Sequence, residues 1–307
     1  MSKVQPPLIS FIIPSYNRVN LLDRLLKSIN KIKYDNIEVI IVDDHSSVDY
    51  ANIISHYKVI LNLRYIKNDK NLYAEKSRKV GFQNSSGEYV VFCDDDDFYA
   101  NTDYFSYAIS MLNSDFGLSF VSGNASIYKQ STGKIQECKI NINGKINGVE
   151  YLKNFQIKYN KPLSTFTTVF RRINLMDKKV FFNDSSLYLY ALTKGNALLT
   201  DFNVGYYCVH DNNISSQISK EFMLDVLDSK YHIYQVIKEL VDWNAFKWWN
   251  DQLIISSKFF LNSTTKGKAD VLDWKSIIKS KYKYNRIRFS ILCFVQWLKK
   301  LNYYRKD

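Results

Sequence analysis

The chain has 307 residues, of which 46% are hydrophobic and 23% are charged, and its formal net charge is +12. This composition predicts a globular protein with its own apolar core, and it excludes a disordered or fibrous chain. The longest apolar runs have about ten residues, whereas a membrane-spanning helix needs about twenty, so no transmembrane enzyme is expected. The N-terminus does not resemble a secretory signal, and the four cysteines form no CxxC pair. We therefore expect reduced thiols and a cytoplasmic location.

Most of the positive charge lies at the end of the chain. Residues 279–307 contain nine Lys and Arg residues and one acid, so they contribute +8 of the +12. A nucleic-acid-binding protein would spread such charge over its main domain, and no nucleic-acid-binding motif is present. Nucleic acid is therefore not expected as a partner, and the pattern favours an acidic partner such as a membrane surface.

The first 120 residues alternate short apolar runs with helical patterns. Strands are predicted at residues 8–13, 38–42, 59–66 and 88–93, and helices at residues 20–32, 50–57 and 74–83. Strands that are apolar throughout and separated by helices predict a parallel sheet covered by helices on both faces. The expected fold class is α/β.

The rest of the chain has two different patterns. Residues 120–215 are less regular, with a hydrophilic loop near 129–139 and one predicted strand at 198–209. Long helical patterns follow at residues 222–241, 243–261, 273–282 and 285–301. We therefore expect two domains, a sheet domain at 1–215 and a helical, basic region at 216–307.

Three polar clusters come directly after predicted strands. They are Pro14–Arg18, Asp43–Ser47 and Asp94–Asp97. In open α/β sheets, ligands bind beyond the carboxyl ends of the strands. Four adjacent aspartates repel one another unless a cation or full solvation compensates them, and oxygen ligands favour Mg²⁺ or Mn²⁺. A metal site is the functional interpretation, and a solvated acidic loop is the alternative.

The first two clusters are typical of nucleotide binding. Asp44 lies where doubly wound folds place an acid that binds a ribose or base, although with Ser46 and Ser47 it is also a good N-cap for the next helix. Tyr16 could stack on a base or simply close a turn. The chain has neither GxGxxG nor GxxxxGK[ST], which argues against dinucleotide-binding and P-loop proteins.

Together these motifs resemble glycosyltransferase family 2, the inverting sugar transferases of the GT-A fold. The matching segments, in chain order, are ISFIIPSYNR, VIIVDDHSS, Asn71-x₆-Arg78-x₂-Gly81, GEYVVFCDDDD and HDNNIS from His210. Two positions differ, because Tyr73 stands where the family usually has Gly and Lys79 where it usually has Asn.

The resemblance implies a GT-A, Rossmann-like domain that binds the nucleotide sugar with about residues 1–120 and the acceptor with about 121–215. It implies that the base, uracil, contacts Pro14, Ser15, Tyr16 and Asp44. Arg78 would lie near the diphosphate or donor sugar, and Asp94 or Asp95 near the ribose and sugar. Asp96 and His210 would hold Mn²⁺ or Mg²⁺, with the register within the four aspartates open by one residue. The alternative for His210 is a cap on the turn after a strand.

Inverting transfer also needs a base that takes the proton of the attacking hydroxyl. The family's Glu-Asp pair corresponds here to Asn183-Asp184, which makes Asp184 the candidate base. At a helix N-terminus the macrodipole would keep this carboxylate ionised, although a plain N-cap has the same sequence pattern. Asp177 and Asp201 are the other candidates.

The resemblance therefore implies transfer of a sugar from a UDP-sugar to a hydroxyl of a glycan or lipid-linked glycan, in surface polysaccharide or glycoconjugate assembly. A non-catalytic sugar-nucleotide or glycan-binding module of the same fold is the alternative; it would have lost the metal acids or the base, which this sequence keeps. A nucleotidyltransferase would usually have a Gly-rich N-terminal loop, which is missing here.

The last helical pattern, within residues 285–304, is amphipathic. One face carries Ile287, Ile291, Phe294, Val295, Leu298 and Leu301, with basic residues at both ends and with Trp297, Tyr303 and Tyr304 nearby. Such a pattern predicts a helix in a membrane interface and peripheral contact with the cytoplasmic face. The alternative is a helix packed on its own domain or in a homo-oligomer.

Overall fold

The computed structural model describes residues 5–177, 180–210, 218–263 and 267–301. The chain divides into two compact units, Met1–His210 and Asp211–Asp307.

Ten strands of the described first unit form one sheet. They are β1 (Ile9–Ser15), β2 (Ile37–Asp43), β3 (Asn62–Lys67), β4 (Tyr89–Phe92), β5 (Phe98–Tyr99), β6 (Leu118–Lys129), β7 (Lys134–Cys138), β8 (Gly144–Ile146), β9 (Thr168–Arg171) and β10 (Asn196–Val209). The helices are α1 (Val19–Ile29), α2 (Ala51–Lys58), α3 (Tyr73–Gln83), α4 (Tyr104–Ser114), α5 (Gly148–Asn154) and α6 (Asp184–Leu192).

The strand order is β3-β2-β1-β4-β9-β6-β10-β5, with β7 beside β6 and β8 beside β10. The pairs β1–β2, β2–β3, β1–β4 and β6–β10 are parallel, whereas β9 runs antiparallel between β4 and β6. The register pairs Ser15 with Asp43, so β1 and β2 end together. The carboxyl ends of β1, β2 and β4 therefore lie along one edge of the sheet, which we call the carboxyl edge.

The core explains why these segments form these elements. Every residue of β1 is buried, as expected for a parallel strand covered on both faces. Helix α1 buries Leu22, Leu25 and Leu26 at helical spacing, and each such side chain contributes about 2 kcal/mol on burial. At Gly81 of α3, a Cβ would lie 2.5 Å from Ile12 Cγ2, so glycine allows this helix to approach β1 closely.

The structure differs from the sequence prediction in the middle of the chain. The supposed loop near 129–139 contains β7, which forms a hairpin with β6, and its residues are mostly exposed, so polar side chains are tolerated there. Strand β9 has only four residues and is flanked by single 3₁₀ turns. A strand so short has no readable period, and its antiparallel direction depends on its neighbours in space.

The second unit is helical, with α7 (Lys220–Ile237), α8 (Ala245–Ser263), α9 (Lys268–Lys281) and α10 (Arg286–Leu301). Helix α7 packs on α8, and α10 packs on both α8 and α9. Trp249 is fully buried, and its indole N–H donates to the Lys283 carbonyl at 2.9 Å. Among the described helices, none combines the length and the apolar character that crossing a bilayer requires.

Candidate active site

The turns that follow β1 and β2 are joined by hydrogen bonds. The Asn17 side-chain oxygen accepts from the Ser47 amide at 2.9 Å, and the Asn17 amide donates to Ser46 Oγ at 2.9 Å. Asn17 and His45 have φ angles of +55° and +68°, which these residue types adopt more readily than most. The two turns therefore form one connected border of the carboxyl edge.

Asp44 lies in this border and is only 4% exposed. Its Oδ1 atom accepts hydrogen bonds from Asn68 Nδ2 (2.8 Å), the Leu72 amide (2.7 Å) and Ser77 Oγ (3.0 Å). The N-cap interpretation for the next helix is wrong, because the N-cap of α2 is Tyr50. Asp44 instead holds the N-terminus of α3, and no donor among the described residues reaches its Oδ2 atom.

The aspartates after β4 differ in their hydrogen-bond and ion-pair partners. Asp95 accepts from Ser15 Oγ at 2.7 Å and from Arg18 Nη1 at 3.1 Å. Asp96 contacts the same Arg18 nitrogen at 3.0 Å, and its Oδ2 lies 3.0 Å from His210 Nε2. One guanidinium thus bridges two neighbouring carboxylates, and the end of β10 reaches the acidic turn through His210. The turn that follows His210, which the turn-cap alternative concerns, lies outside the described residues.

Asp97 has a different environment. It is fully buried, and it accepts from the Cys208 amide at 3.0 Å and from Ser164 Oγ at 3.4 Å. These bonds join the acidic turn to β10 and to the segment before β9. Asp97 is therefore held by donors from two other segments of the chain.

Arg78 connects the acidic turn to α6. It is buried, and its guanidinium contacts Asp94 Oδ1 at 2.5 Å through Nη2 and Asp184 Oδ1 at 2.7 Å through Nη1. Lys161 Nζ lies 3.9 Å from Asp184 Oδ2. A planar fork that binds two carboxylates at once fixes their separation and orientation.

Helix α6 begins at Asp184, and its N-cap is Asn183, whose side-chain oxygen accepts from the Ser186 amide at 3.1 Å. The plain N-cap interpretation of Asp184 is therefore wrong, because its neighbour fills that role. Asp184 is the first helical residue, where the positive end of the macrodipole favours a carboxylate.

Burial and neighbouring charges shift the pKa values of these acids. Burial raises the pKa of Asp95 to about 7 in spite of Arg18, and it raises the pKa of Asp94 against the effect of Arg78. Burial and the carboxylates of Asp96 and Asp94 raise the pKa of Asp97 well above its ordinary value. Burial would also raise the pKa of Asp184, but Arg78 and Lys161 outweigh it and hold that pKa below its ordinary value. Asp184 is consequently ionised at neutral pH.

The acidic turn suits a divalent cation by its chemistry. Asp96 and His210 provide one carboxylate and one imidazole, a donor set compatible with Mn²⁺, and Mg²⁺ or Mn²⁺ sites commonly take their other ligands from water and substrate phosphates. Within residues 5–177, 180–210, 218–263 and 267–301, no three His, Cys, Asp or Glu side chains are arranged to hold a metal ion by themselves. A metal at Asp96 and His210 would thus need further ligands, such as water or phosphate oxygens.

The structure joins most of the predicted site residues into two hydrogen-bonded groups, which meet in the acidic turn. One group contains Ser15, Asp95, Asp96 and His210, connected through Arg18, and the other contains Arg78, Asp94 and Asp184. Pro14 is buried in β1, and Tyr16 is 46% exposed in the turn that follows. Asp44 lies apart from both groups and contacts α3.

Arg18 is a further residue of the site, and its role was not predicted from the sequence. It lies inside the first polar cluster, but nothing in the sequence shows that its side chain reaches Asp95 and Asp96 about eighty residues away. The other candidate bases lie elsewhere. Asp177 bonds the Tyr190 hydroxyl, and Asp201 bonds Asn143 beside a shallow cavity of about 410 Å³ at the middle of β10.

The fold and this site define a class of enzyme, the GT-A glycosyltransferases. The family model "Glycosyl transferase family 2" matches residues 10–181, and the chain belongs to this family. The α/β fold class and the glycosyltransferase class predicted from the sequence are thereby confirmed.

Curated relatives are similar over part of their length. A GalNAc(5)-diNAcBac-PP-undecaprenol beta-1,3-glucosyltransferase of Campylobacter jejuni is 33% identical over 128 residues, which is 40% of this chain and 40% of that protein. A putative colanic acid biosynthesis glycosyl transferase, WcaA of Escherichia coli, is 39% identical over 94 residues, 30% of this chain and 33% of that protein. The chain spans well under half the length of the curated relatives it matches.

Two solved structures share the fold. TarS 1–349 of S. aureus in complex with UDP-GlcNAc has a TM-score of 0.63 at 18% identity, over 84% of this chain and 73% of that one. Mannosyltransferase PcManGT from Pyrobaculum calidifontis, in complex with GDP-Man and Mn²⁺, has a TM-score of 0.52 at 15% identity, over 96% of this chain and 87% of that one.

Proposed function

We propose that this glycosyltransferase is inverting and transfers a sugar from a UDP-sugar to a hydroxyl of a glycan acceptor, in surface polysaccharide or glycoconjugate assembly. The observation that carries the proposal is the chain of ion pairs from Asp94 through Arg78 to Asp184, which joins the donor side of the site to an ionised carboxylate on α6. The UDP-GlcNAc bound by TarS and the glycan-related names of the relatives support it, and the GDP-Man bound by PcManGT supports a nucleotide-sugar donor in general.

The donor would bind along the carboxyl edge. Pro14, Ser15, Tyr16 and Asp44 would contact the uracil and its ribose, and Asp94 or Asp95 the ribose and the sugar. The diphosphate would lie near Arg78 and the acidic turn. In this scheme residues 1–120 bind the donor and residues 121–215 face the acceptor; the catalytic domain 1–215 and the helical region 216–307 stay predictions.

In the proposed reaction, Asp184 accepts the proton of the acceptor hydroxyl. The acceptor oxygen forms its bond to C1 of the donor sugar from the face opposite the diphosphate, and the bond from C1 to the phosphate oxygen breaks with its electron pair leaving on UDP. A single displacement of this kind inverts the anomeric centre and needs no covalent intermediate. Arg78 holds the pKa of Asp184 below its ordinary value. Asp184 is therefore in the ionised form, which can accept a proton.

Asp96 and His210 would hold a divalent cation, Mn²⁺ or Mg²⁺, which when bound neutralises charge on the diphosphate. The guanidinium of Arg18 contacts the carboxylates of both Asp95 and Asp96, so it places positive charge beside the proposed metal ligand Asp96.

The test is release of UDP from a panel of UDP-sugars, with Mn²⁺ or with EDTA, by the native chain and by Asp96→Ala. We expect turnover of one donor with Mn²⁺ only, and a loss of at least about a hundredfold in Asp96→Ala. Asp201→Ala, an exposed aspartate in β10, is the matched control and should keep native activity. Activity with EDTA, or an active Asp96→Ala, would contradict the metal role. If no UDP-sugar is turned over under any condition and direct titration finds no nucleotide-sugar binding, the proposal fails and the non-catalytic module is favoured.

We also propose that α10 contacts an anionic membrane at the cytoplasmic face, close to a lipid-linked glycan acceptor. One face of α10 packs in its unit through Phe289 and Cys293. The other presents Ile287, which is 75% exposed, and Ile291 and Phe294, each 59% exposed. This apolar stripe, flanked by basic residues, suits a lipid surface. The Leu301 side chain, Tyr303 and Tyr304, which belonged to the prediction, lie outside the described residues.

Sedimentation with phosphatidylglycerol vesicles tests this contact. The double variant Ile291→Asp/Phe294→Asp should lose most binding, whereas Leu240→Asp, at a residue that is exposed outside α10, should bind as the native chain does. Equal vesicle binding by both variants would exclude α10 as the helix that contacts the membrane. No binding by the native chain, with a dimer or larger species in light scattering, would favour a homo-oligomer instead.

A further inference from the structure

Tyr73 has an unusual backbone conformation for its residue type. Its φ angle is +65°, in the left-handed region that favours glycine and that large side chains rarely adopt. Its side chain is 78% exposed, so burial in the core does not compensate for the strain. Residues with a strained backbone cluster at active sites and ligand-binding sites, where the side chain contacts the ligand.

Tyr73 lies immediately beside the contacts of Asp44. It begins α3, and the amide of the preceding residue, Leu72, is the one that donates to Asp44 Oδ1 at 2.7 Å. The Tyr73 amide donates to Asn71 Oδ1 at 3.1 Å. These bonds hold the backbone at Tyr73 and at the residue before it, so the exposed aromatic ring lies one residue from a bond to Asp44.

Asp44 is prepared to accept one more hydrogen bond. Oδ1 already accepts three, while no donor among the described residues reaches Oδ2. A carboxylate oxygen accepts hydrogen bonds, so Oδ2 matches a ligand that presents an N–H or O–H donor. Uracil presents one N–H in the plane of its ring and a flat face perpendicular to that direction, which an aromatic side chain can cover.

We propose that Tyr73 stacks on the uracil of the donor while Asp44 Oδ2 binds its N–H, so that Tyr73 determines specificity for the nucleobase. This inference rests on the proposed function, because it assumes that the donor nucleotide binds at the carboxyl edge. It adds a residue to which the sequence analysis gave no role, and it gives a reason why a tyrosine occupies a conformation better suited to glycine.

The test compares UDP binding and thermal unfolding in Tyr73→Gly and Tyr73→Phe by calorimetry. Tyr73→Gly should unfold at a higher temperature than the native chain, since the strain is removed, and yet bind UDP about tenfold more weakly, since stacking is lost. Tyr73→Phe should bind UDP within about twofold of the native chain, because the aromatic face remains. Affinity for inorganic pyrophosphate should be the same in all three proteins.

The matched control is Gln156→Gly, at a residue whose φ angle is also positive, +57°, in the segment after α5. This variant should remove strain as well and leave UDP affinity unchanged.

A Tyr73→Gly variant that binds UDP as tightly as the native chain overturns the inference and leaves the proposed function intact. Equal losses for UDP and for pyrophosphate would also overturn it, because the effect would then not concern the base. If the native chain binds no UDP at all, the proposed function fails with it.

Discussion

The two edges of the same sheet hold buried carboxylates in opposite ways. At the amino edge, where the parallel strands begin, Glu38 accepts hydrogen bonds from Ser10 Oγ (2.6 Å), the Ser86 amide (2.6 Å) and the Gly87 amide (3.0 Å). Burial alone would raise the pKa of Glu38, but these donors outweigh it and the pKa is lowered. At the carboxyl edge, burial raises the pKa values of Asp94, Asp95 and Asp97.

This difference distinguishes an acid that stabilises the fold from acids that form a candidate binding site. A carboxylate with enough neutral donors stabilises the fold and has no need of a ligand. Among the described residues, two arginines bridge the adjacent acids of the carboxyl edge, and a cation there can relieve the repulsion that remains. At the amino edge a Cβ on Gly87 would lie 2.4 Å from Ser10 Oγ. Glycine therefore allows the backbone at residue 87 to come close enough for both Ser10 and Gly87 to donate to Glu38.

The largest expected effect lies at the carboxyl edge. Asp184→Asn should lower kcat by about a thousandfold, because a positioned base contributes about 10²- to 10⁴-fold. The UDP dissociation constant should stay within about twofold of the native value, since the change lies on the acceptor side. Asp177→Asn is the matched control and should keep native kcat. Single-turnover transfer assays with acceptor measure these rates, and an unchanged kcat in Asp184→Asn would exclude it as the base.

The second effect concerns stability at the same edge. Arg78→Ala should lower the free energy of unfolding by about 2 kcal/mol, because it leaves the partly exposed carboxylates of Asp94 and Asp184 without the buried cation that they share. Arg78→Lys should recover only part of the loss, since an ammonium keeps the charge without the planar fork. Urea denaturation measures both variants. A loss under about 1 kcal/mol in Arg78→Ala would show that the acids do not depend on this arginine.

The smallest effect is expected at the amino edge, and it depends on pH. Glu38→Gln should lower the free energy of unfolding by about 1 kcal/mol at pH 7, because the charge-assisted bonds weaken. The folded pKa lies below the ordinary 4.5, so the stabilisation is complete above about pH 4.5 and is lost as the pH falls through the folded pKa. The native chain and the variant should therefore converge in urea denaturation as the pH drops below 4.5. A constant difference would show that the ionised form is not what stabilises the fold.

Some of the site could be predicted from the sequence because the relevant signals are local. The apolar runs that end before Ser15, Asp43 and Asp94 marked the carboxyl ends of β1, β2 and β4, and parallel strands bring those ends to one edge. Asp184 was located through the family resemblance, and the structure places it at the start of a helix, as that resemblance required.

Other features depend on contacts between distant segments and had no local signal. The sequence did not show that Arg18 bridges Asp95 and Asp96, that Arg78 joins Asp94 to Asp184, or that Asp97 is bound by the Cys208 amide. It also left the direction of β9 undetermined. Residues 211–217, which contain most of the HDNNIS segment, lie outside the described residues, so that part of the motif stays a prediction.

The sequence by itself determined the α/β class, the polar ends of the parallel strands and the family, because hydrophobic period and strand–turn order are properties of neighbouring residues. Only the tertiary structure decided which groups contact each acid, and which tyrosine stands beside Asp44 at the carboxyl edge in a glycine-like conformation. Both depend on how segments tens of residues apart approach one another. Charge compensation acts across space, and no spacing along the chain records it.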